Sequence, residues 1–256
     1  MKNEIVLSPV YYASVSGGKD SLYMLKLILS HPERYKLDGV VHFELEIDFP
    51  FIKEVIDYME RECKKYGIPF YRISPRTKWI DLYNKYGFPS YSARWCNGQY
   101  KLDCKKQLND WEKSNNHKVI YYIGYCYDEI SRFKDNDDIY PLVDFGIKEE
   151  TVLVWAKTVS LFNDYYLINK RCGCMYCPMQ SLITCAYIKV KYPKEYDLLM
   201  KYALDTEYRL LAEKGIVKSV WGGDAKYDTL YRMDIIERKY EPKVRFMLLK
   251  QKRGEQ

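Results

Sequence analysis

Residues 16–21 read Ser-Gly-Gly-Lys-Asp-Ser, and the runs on either side fix what the hexapeptide joins. Before it stands the β-rich run Val10-Tyr-Tyr-Ala-Ser-Val15. After it come Leu22, Leu25, Ile28 and Leu29, an apolar stripe at helical spacing that ends short of Pro32. A strand therefore passes into a helix through two glycines. Gly17 and Gly18 let the backbone turn tightly and aim successive N–H groups at one oxyanion. The helix start adds its dipole and its unpaired amides. Lys19 brings a point charge, and the hydroxyls of Ser16 and Ser21 bring further donors. Asp20 does not suit bare phosphate, so it holds Mg²⁺, positions Lys19 or caps the helix. The plainer alternative is a glycine turn with a Ser/Asp cap.

The alternation continues beyond this unit. A second strand is predicted over 37–43, and a helix over 53–66 is stopped by Gly67. A third strand over 68–73 ends before Pro75. This β-α-β-α-β order predicts an α/β fold with a doubly wound, Rossmann-like parallel sheet and right-handed crossovers. Helices follow over 79–86 and 101–113, then a loop at 114–117 and a strand over 119–125. The run 149–162 reads as helix, and 170–178 is rich in Cys and Gly with no period. Amphipathic patterns over 195–214 and 225–239 make the C-terminal third mainly helical. No Gly/Ser linker interrupts the chain. The expected organisation is a nucleotide-binding α/β domain over 1–165, with a Cys-rich loop and helical region over 166–256 packed on the same body.

Composition narrows the class. The chain has 256 residues, 47% hydrophobic and 30% charged, which excludes a disordered or fibrous protein. No stretch approaches the ~18 apolar residues of a membrane span. The N-terminal run Met1-Lys-Asn-Glu-Ile-Val has no secretory signal pattern, so the cytoplasm is expected. The net charge, 41 − 35 = +6, permits an anionic ligand without demanding one. Eight cysteines in a reducing compartment do not predict a disulfide framework. Cys172, Cys174 and Cys177, followed by Pro178, form a tight cluster that points to metal or redox chemistry. Its spacing suits an iron–sulfur cluster or tetrahedral Zn²⁺ alike. Cys63, Cys126 and Cys185 read as small buried hydrophobes. His31, His42 and His117 are scattered and form no triad or zinc set. The basic tail from Arg238 to Arg253 fits either a solvated end or phosphate contacts with a nucleic-acid substrate.

The hexapeptide is not a Walker loop. After a first strand, it resembles the PP-loop of the adenine-nucleotide α-hydrolase-like superfamily. The chain is similar to that superfamily's phosphoadenosine-phosphosulfate (PAPS) reductase-like family. The likeness extends through Gly39-Val-Val-His-Phe-Glu44, Asp48-Phe49-Pro50, Tyr66-Gly-Ile-Pro69, Arg94-Trp-Cys96 with Lys101, Asp128-Glu129 with Arg132, Tyr140-Pro-Leu142 and Gly173-Cys-Met-Tyr-Cys-Pro178. It covers roughly residues 10–180. The resemblance implies an enzyme that binds ATP, or PAPS or its 3′-dephospho analogue APS, with Mg²⁺. Ser16, Gly17, Gly18, Lys19, Asp20, Ser21, Glu44, Lys101 and Arg132 would bind the nucleotide. Lys19 and Asp20 would serve catalysis. It also tips the metal reading to a 4Fe–4S cluster on Cys96, Cys174 and Cys177, with Zn²⁺ as the alternative.

For the fourth ligand, Cys104 and Cys172 compete. If one helix starts near Cys96, Cys104 lies eight residues on, about 12 Å along the axis. Cys172 carries no such condition and is favoured. A centre with only three Cys ligands would leave an open iron able to bind sulfide. Two departures bear on function. Where the family often has Asp-Thr-Gly after its second strand, this chain has Glu44-Leu45-Glu46. Sulfonucleotide reductases carry a late Glu-Cys-Gly-x-His segment, and here no Cys follows Cys185. The resemblance therefore implies first an adenylating sulfurtransferase that meets an adenine nucleotide, a sulfur donor and an acceptor, with a homodimer left open. A sulfonucleotide reductase using an external thiol comes second. A non-catalytic, Zn-stabilised nucleotide- or nucleic-acid-binding module comes third.

Overall fold

The computed structural model describes residues 7–133, 135–216, 218–222 and 228–253. The N-terminal run 1–6 and residues 225–227 of the expected 225–239 helix lie outside them. In chain order the elements are β1 (Ser8–Val15), α1 (Lys19–Ser30), β2 (Gly39–Phe43), α2 (Pro50–Lys65), β3 (Phe70–Ile73), α3 (Trp79–Tyr86), α4 (Leu102–Ser114) and β4 (His117–Ile123). Then come α5 (Pro141–Asp144), α6 (Glu149–Thr158), α7 (Leu182–Lys191), α8 (Pro193–Lys214), α9 (Thr229–Ile235) and α10 (Glu241–Lys252). A π-helical turn, Cys96–Lys101, runs into α4, and a 3₁₀ turn, Tyr127–Arg132, follows β4. No described helix is long and apolar enough to cross a membrane.

The chain divides into two compact units, Met1–Arg76 with Lys101–Asn163, and Thr77–Tyr100 with Asp164–Gln256. The first unit holds the sheet. Its strands pair in the order β3-β2-β1-β4, all parallel. Ile139 extends the edge by a parallel bridge to Tyr122. Strand alternation puts Tyr12, Val41 and Tyr121 together in a core cluster with Leu108 of α4. Helix α1 meets α2, α5 and α6. The order explains this division. The connections from β1 to β2 and on to β3 run one way across the sheet. The crossover to β4 runs the other way, so its helix covers the other face. The doubly wound parallel sheet expected from the alternation is therefore present.

Boundaries follow local chemistry. Gly67, at φ +68°, ends α2 one residue beyond its Tyr66 cap. Pro50 and Pro193 open α2 and α8 at the first-turn positions where a missing N–H costs nothing. Gly215, at φ +64°, closes α8.

The second unit is helical among its described residues. The segment 77–100, which carries α3, belongs to it rather than to the sheet unit. Its physical tie is aromatic: Trp79 and Tyr83 of α3 pack on Tyr202 of α8, at ring separations of 5.1 and 4.4 Å. The basic tail is a helix, α10, that buries Val244 and Leu248 and meets α7. Apolar positions spaced i, i+4 thus act beneath a charged exterior.

Candidate functional site

The 16–21 loop leaves the C-terminal end of β1, between β2 and β4. At this switch point successive connections leave in opposite directions and open a crevice. Gly17 has φ +74°, and a Cβ there would meet Ile52 Cγ2 of α2 at 2.7 Å. Gly18 caps α1 in an extended conformation, so the cap brings no side-chain acceptor to the first-turn amides. The two serines brace the loop. The Ser16 N–H donates to Ser21 Oγ at 3.2 Å, and the Ser21 hydroxyl donates to the Gly18 carbonyl at 2.9 Å. Ser16 Oγ accepts the Gly18 N–H at 3.4 Å.

Lys19 is only 3% exposed. Its ammonium lies 2.7 Å from Asp20 Oδ1 and 3.5 Å from Glu149 Oε1 on α6. Burial raises the Asp20 carboxyl above its ordinary range, Lys19 opposes that shift, and the charges of Glu129 and Glu149 add to it. The Cys126 thiol stands 3.6 Å from Asp20 Oδ1. Burial, first, and then the Asp20 charge push that thiol far up, so it is a protonated donor. Cys126 also caps the 3₁₀ turn, where its N–H donates to Glu129 Oε2 at 3.0 Å. Arg132 Nη1 donates to the other Glu129 oxygen at 2.5 Å, and its guanidinium lies 4.1 Å from the centre of the Tyr125 ring. Asp128 Oδ1 accepts the backbone N–H of Glu149 at 3.0 Å. Gly124 is needed for this approach, because a Cβ there would sit 3.1 Å from the Asp20 backbone.

Lys19, Asp20 and Arg132 thus join one polar network with Cys126, Asp128, Glu129 and Glu149. Nothing in the local sequence around Glu149 or Cys126 marks either as part of this network. Glu44 and Lys101, the other predicted nucleotide-binding residues, are also in the first unit. Glu44 follows β2 and sits 3.7 Å from Arg72 Nη1. The Lys101 charge acts on Asp48 and on His42. Burial pushes the Asp48 carboxyl up to about 7, against the pull of Lys101. His42 is buried with Nδ1 3.0 Å from the Val15 carbonyl, and burial lowers its pKa.

Cys96, Cys172, Cys174 and Cys177 all belong to the second unit and are partly exposed, whereas Cys63, Cys104, Cys126 and Cys185 are buried. Burial raises the Cys96 thiol, and the Cys177 charge adds to the shift while Arg94 opposes it. Burial also raises Cys177, against the Met179 N–H, which donates to its sulfur at 3.4 Å, and against Arg94. Burial raises Tyr165, and the charges of Cys172 and Cys177 add to that. Gln180 Nε2 donates to the Cys174 carbonyl at 2.7 Å, and Arg232 Nη2 donates to the Gln180 carbonyl at 2.6 Å. Thiols are the ligand type that iron or zinc takes, and these lie near a cation and a backbone N–H, but their side chains are not assembled into a ligand group. Among the described residues, no three His, Cys, Asp or Glu side chains form a group that could hold a metal ion. Cys104 is buried on α4, in the first unit.

No family model matches the chain. An uncharacterised protein of Methanocaldococcus jannaschii is 25% identical over an alignment 209 residues long that covers 76% of this chain and 48% of that protein. The chain therefore spans about half the length of the curated relative it matches. Among solved structures, the U34-tRNA thiolase NcsA of Methanococcus maripaludis, with its 4Fe–4S cluster, aligns over 92% of this chain and 75% of its own. The identity is 17% and the TM-score 0.39.

Proposed function

We propose that this chain is an ATP-dependent, adenylating sulfurtransferase of the PP-loop kind, with a nucleotide site in the first unit and an iron–sulfur centre in the second. The observation that supports it is the 16–21 loop. Two glycines, one at positive φ, turn the chain at the sheet's switch point and place a buried lysine on the first turn of α1. In this reading the loop and Lys19 hold the pyrophosphate end of ATP. Charge neutralisation and positioning do most of the catalytic work there. An oxygen of the acceptor attacks the α-phosphorus, the bond to the β-phosphate oxygen breaks, and pyrophosphate leaves. The acceptor carbon then bears an adenylate leaving group. A sulfur nucleophile from the donor forms a C–S bond, the C–O bond breaks, and AMP leaves. Asp20 holds Lys19 in place, while Arg132 and Lys101 supply further cations for anionic groups.

Cys96, Cys172, Cys174 and Cys177 would hold the iron–sulfur cluster. Once bound, such a centre supplies iron for sulfur chemistry and keeps the thiols deprotonated. The adenylating reading is tested by exchange of labelled pyrophosphate into ATP under anaerobic conditions, with tRNA, DNA and small acceptors offered in turn. Exchange that depends on an acceptor is the expected result. An S-sulfonated cysteine formed from PAPS, with no exchange for any acceptor, would instead put the reductase reading first.

A further inference from the structure

Lys19 is the side chain that the nucleotide reading needs most, and the structure shows it already occupied. Its ammonium is buried, and two carboxylates share it, Asp20 at 2.7 Å and Glu149 at 3.5 Å. The two are not equivalent. Asp20 is the next residue in α1, and its other contacts, such as the Cys126 thiol, lie in the same network. Glu149 comes from another helix. Its backbone N–H is fixed by Asp128 Oδ1 at 3.0 Å, so the first turn of α6 is tethered while the side chain reaches Lys19 at the longer distance. The Glu149 side chain is mostly buried as well, which limits screening by water. An ordinary structural salt bridge would need one acid. Here a second acid is brought in from far along the chain and adds its charge to a carboxylate already pushed up by burial.

We propose that Glu149 is the resident anion of the Lys19 site and competes with the ligand's phosphate for that ammonium. The proposal rests on the nucleotide reading and deepens it by naming a residue that sets phosphate affinity. A phosphate entering the loop takes over the weaker, 3.5 Å partnership, and the Glu149 carboxylate turns away while its backbone stays on Asp128. With the site empty, the glutamate neutralises a buried cation. With the site filled, it is a nearby like charge that lowers affinity and favours release of pyrophosphate. Removing one charge at this range from a bound anion should change its Kd about tenfold.

The test uses calorimetry on the full chain with two ligands, inorganic pyrophosphate in EDTA and ATP with Mg²⁺. Three proteins are compared: wild type, Glu149→Gln and Glu150→Gln. The glutamine keeps the backbone N–H and the side-chain shape. Glu150 is exposed and controls for net charge alone. Glu149→Gln should bind both ligands about tenfold more tightly, and ATP should raise its Tm more than it raises that of wild type. Glu150→Gln should stay within about twofold of wild type. Unchanged affinity in Glu149→Gln, with wild type binding normally, overturns the proposal and leaves the nucleotide reading standing. Weaker binding only in the Mg²⁺ arm overturns it too, by making Glu149 a metal-directed residue. If no protein binds either ligand while all three melt cooperatively, the nucleotide reading falls and this proposal falls with it.

Discussion

Gly17 shows how much one residue can decide. Its φ of +74° lies in the left-handed region, and a Cβ there would meet Ile52 Cγ2 at 2.7 Å. Gly17→Ala should therefore cost at least about 1–3 kcal/mol, from backbone strain and from displacing α2. Urea unfolding measures this, and an unchanged midpoint would mean the loop takes another conformation. Asp48 gives a second residue-scale expectation. Its folded carboxyl is pushed up to about 7, above the ordinary aspartate value, so the folded state holds a proton that the unfolded state has lost. Stability from this group is full below the unfolded pKa and drains away as pH rises through about 7. Urea melts at pH 4.5 and 7.5 should show wild type losing stability across the window, and Asp48→Asn should lose less. Equal slopes would show that Asp48 does not carry the dependence. The glycines, Lys19 and Asp20 were legible in the sequence because a turn and a charge sit in one short string. Glu149 and Cys126 were not, because they reach Asp20 and Lys19 through the sheet order, and separation along the chain leaves no period to read.

Among the elements, β1 to β3 and their helices were legible because periods of 2 and 3.6 alternate with glycine and proline at their ends. Boundaries moved by a few residues where caps, not periodicity, decided them. The 96–101 stretch is a π-helical turn leading into α4, which no count of apolar spacing predicts. The tail was expected only as a basic end. Its two buried residues, Val244 and Leu248, were hidden among lysines and arginines. The Cys-rich loop has no period, so its backbone was not legible, but its chemistry was. Ser substitution at Cys174 or Cys177 should lower bound iron and thermal stability together after anaerobic reconstitution, and Cys63→Ser should leave iron content unchanged. Cys172→Ser and Cys104→Ser separate the two candidates for the fourth ligand. Iron lost in Cys172→Ser and retained in Cys104→Ser is the expected pattern, and the reverse would move the ligand to α4. Elemental analysis for iron, sulfide and zinc reads all of these, and a protein that takes up zinc alone would contradict the iron assignment.

At the scale of the whole molecule, the first unit carries a doubly wound parallel sheet with a glycine loop at its switch point, and the four partly exposed cysteines all belong to the second. The sequence pattern reached the sheet through local alternation. It did not reveal that 77–100 joins the second unit, because the aromatic contacts of Trp79 and Tyr83 are made with a helix more than a hundred residues later. In the proposed function, the 16–21 loop binds the phosphates of an adenine nucleotide. The deciding measurement is calorimetric titration of ATP with Mg²⁺ into wild type, Lys19→Ala and Lys26→Ala, with thermal melts confirming that each protein is folded. Lys26 lies on the same helix but is exposed, so it controls for loss of a positive charge. Wild type and Lys26→Ala should bind with similar affinity, and Lys19→Ala at least about tenfold more weakly, because a cation is gone from the anion's cradle. Equal affinity in a folded Lys19→Ala protein, or no binding by wild type, would mean that the loop does not hold the nucleotide's phosphates.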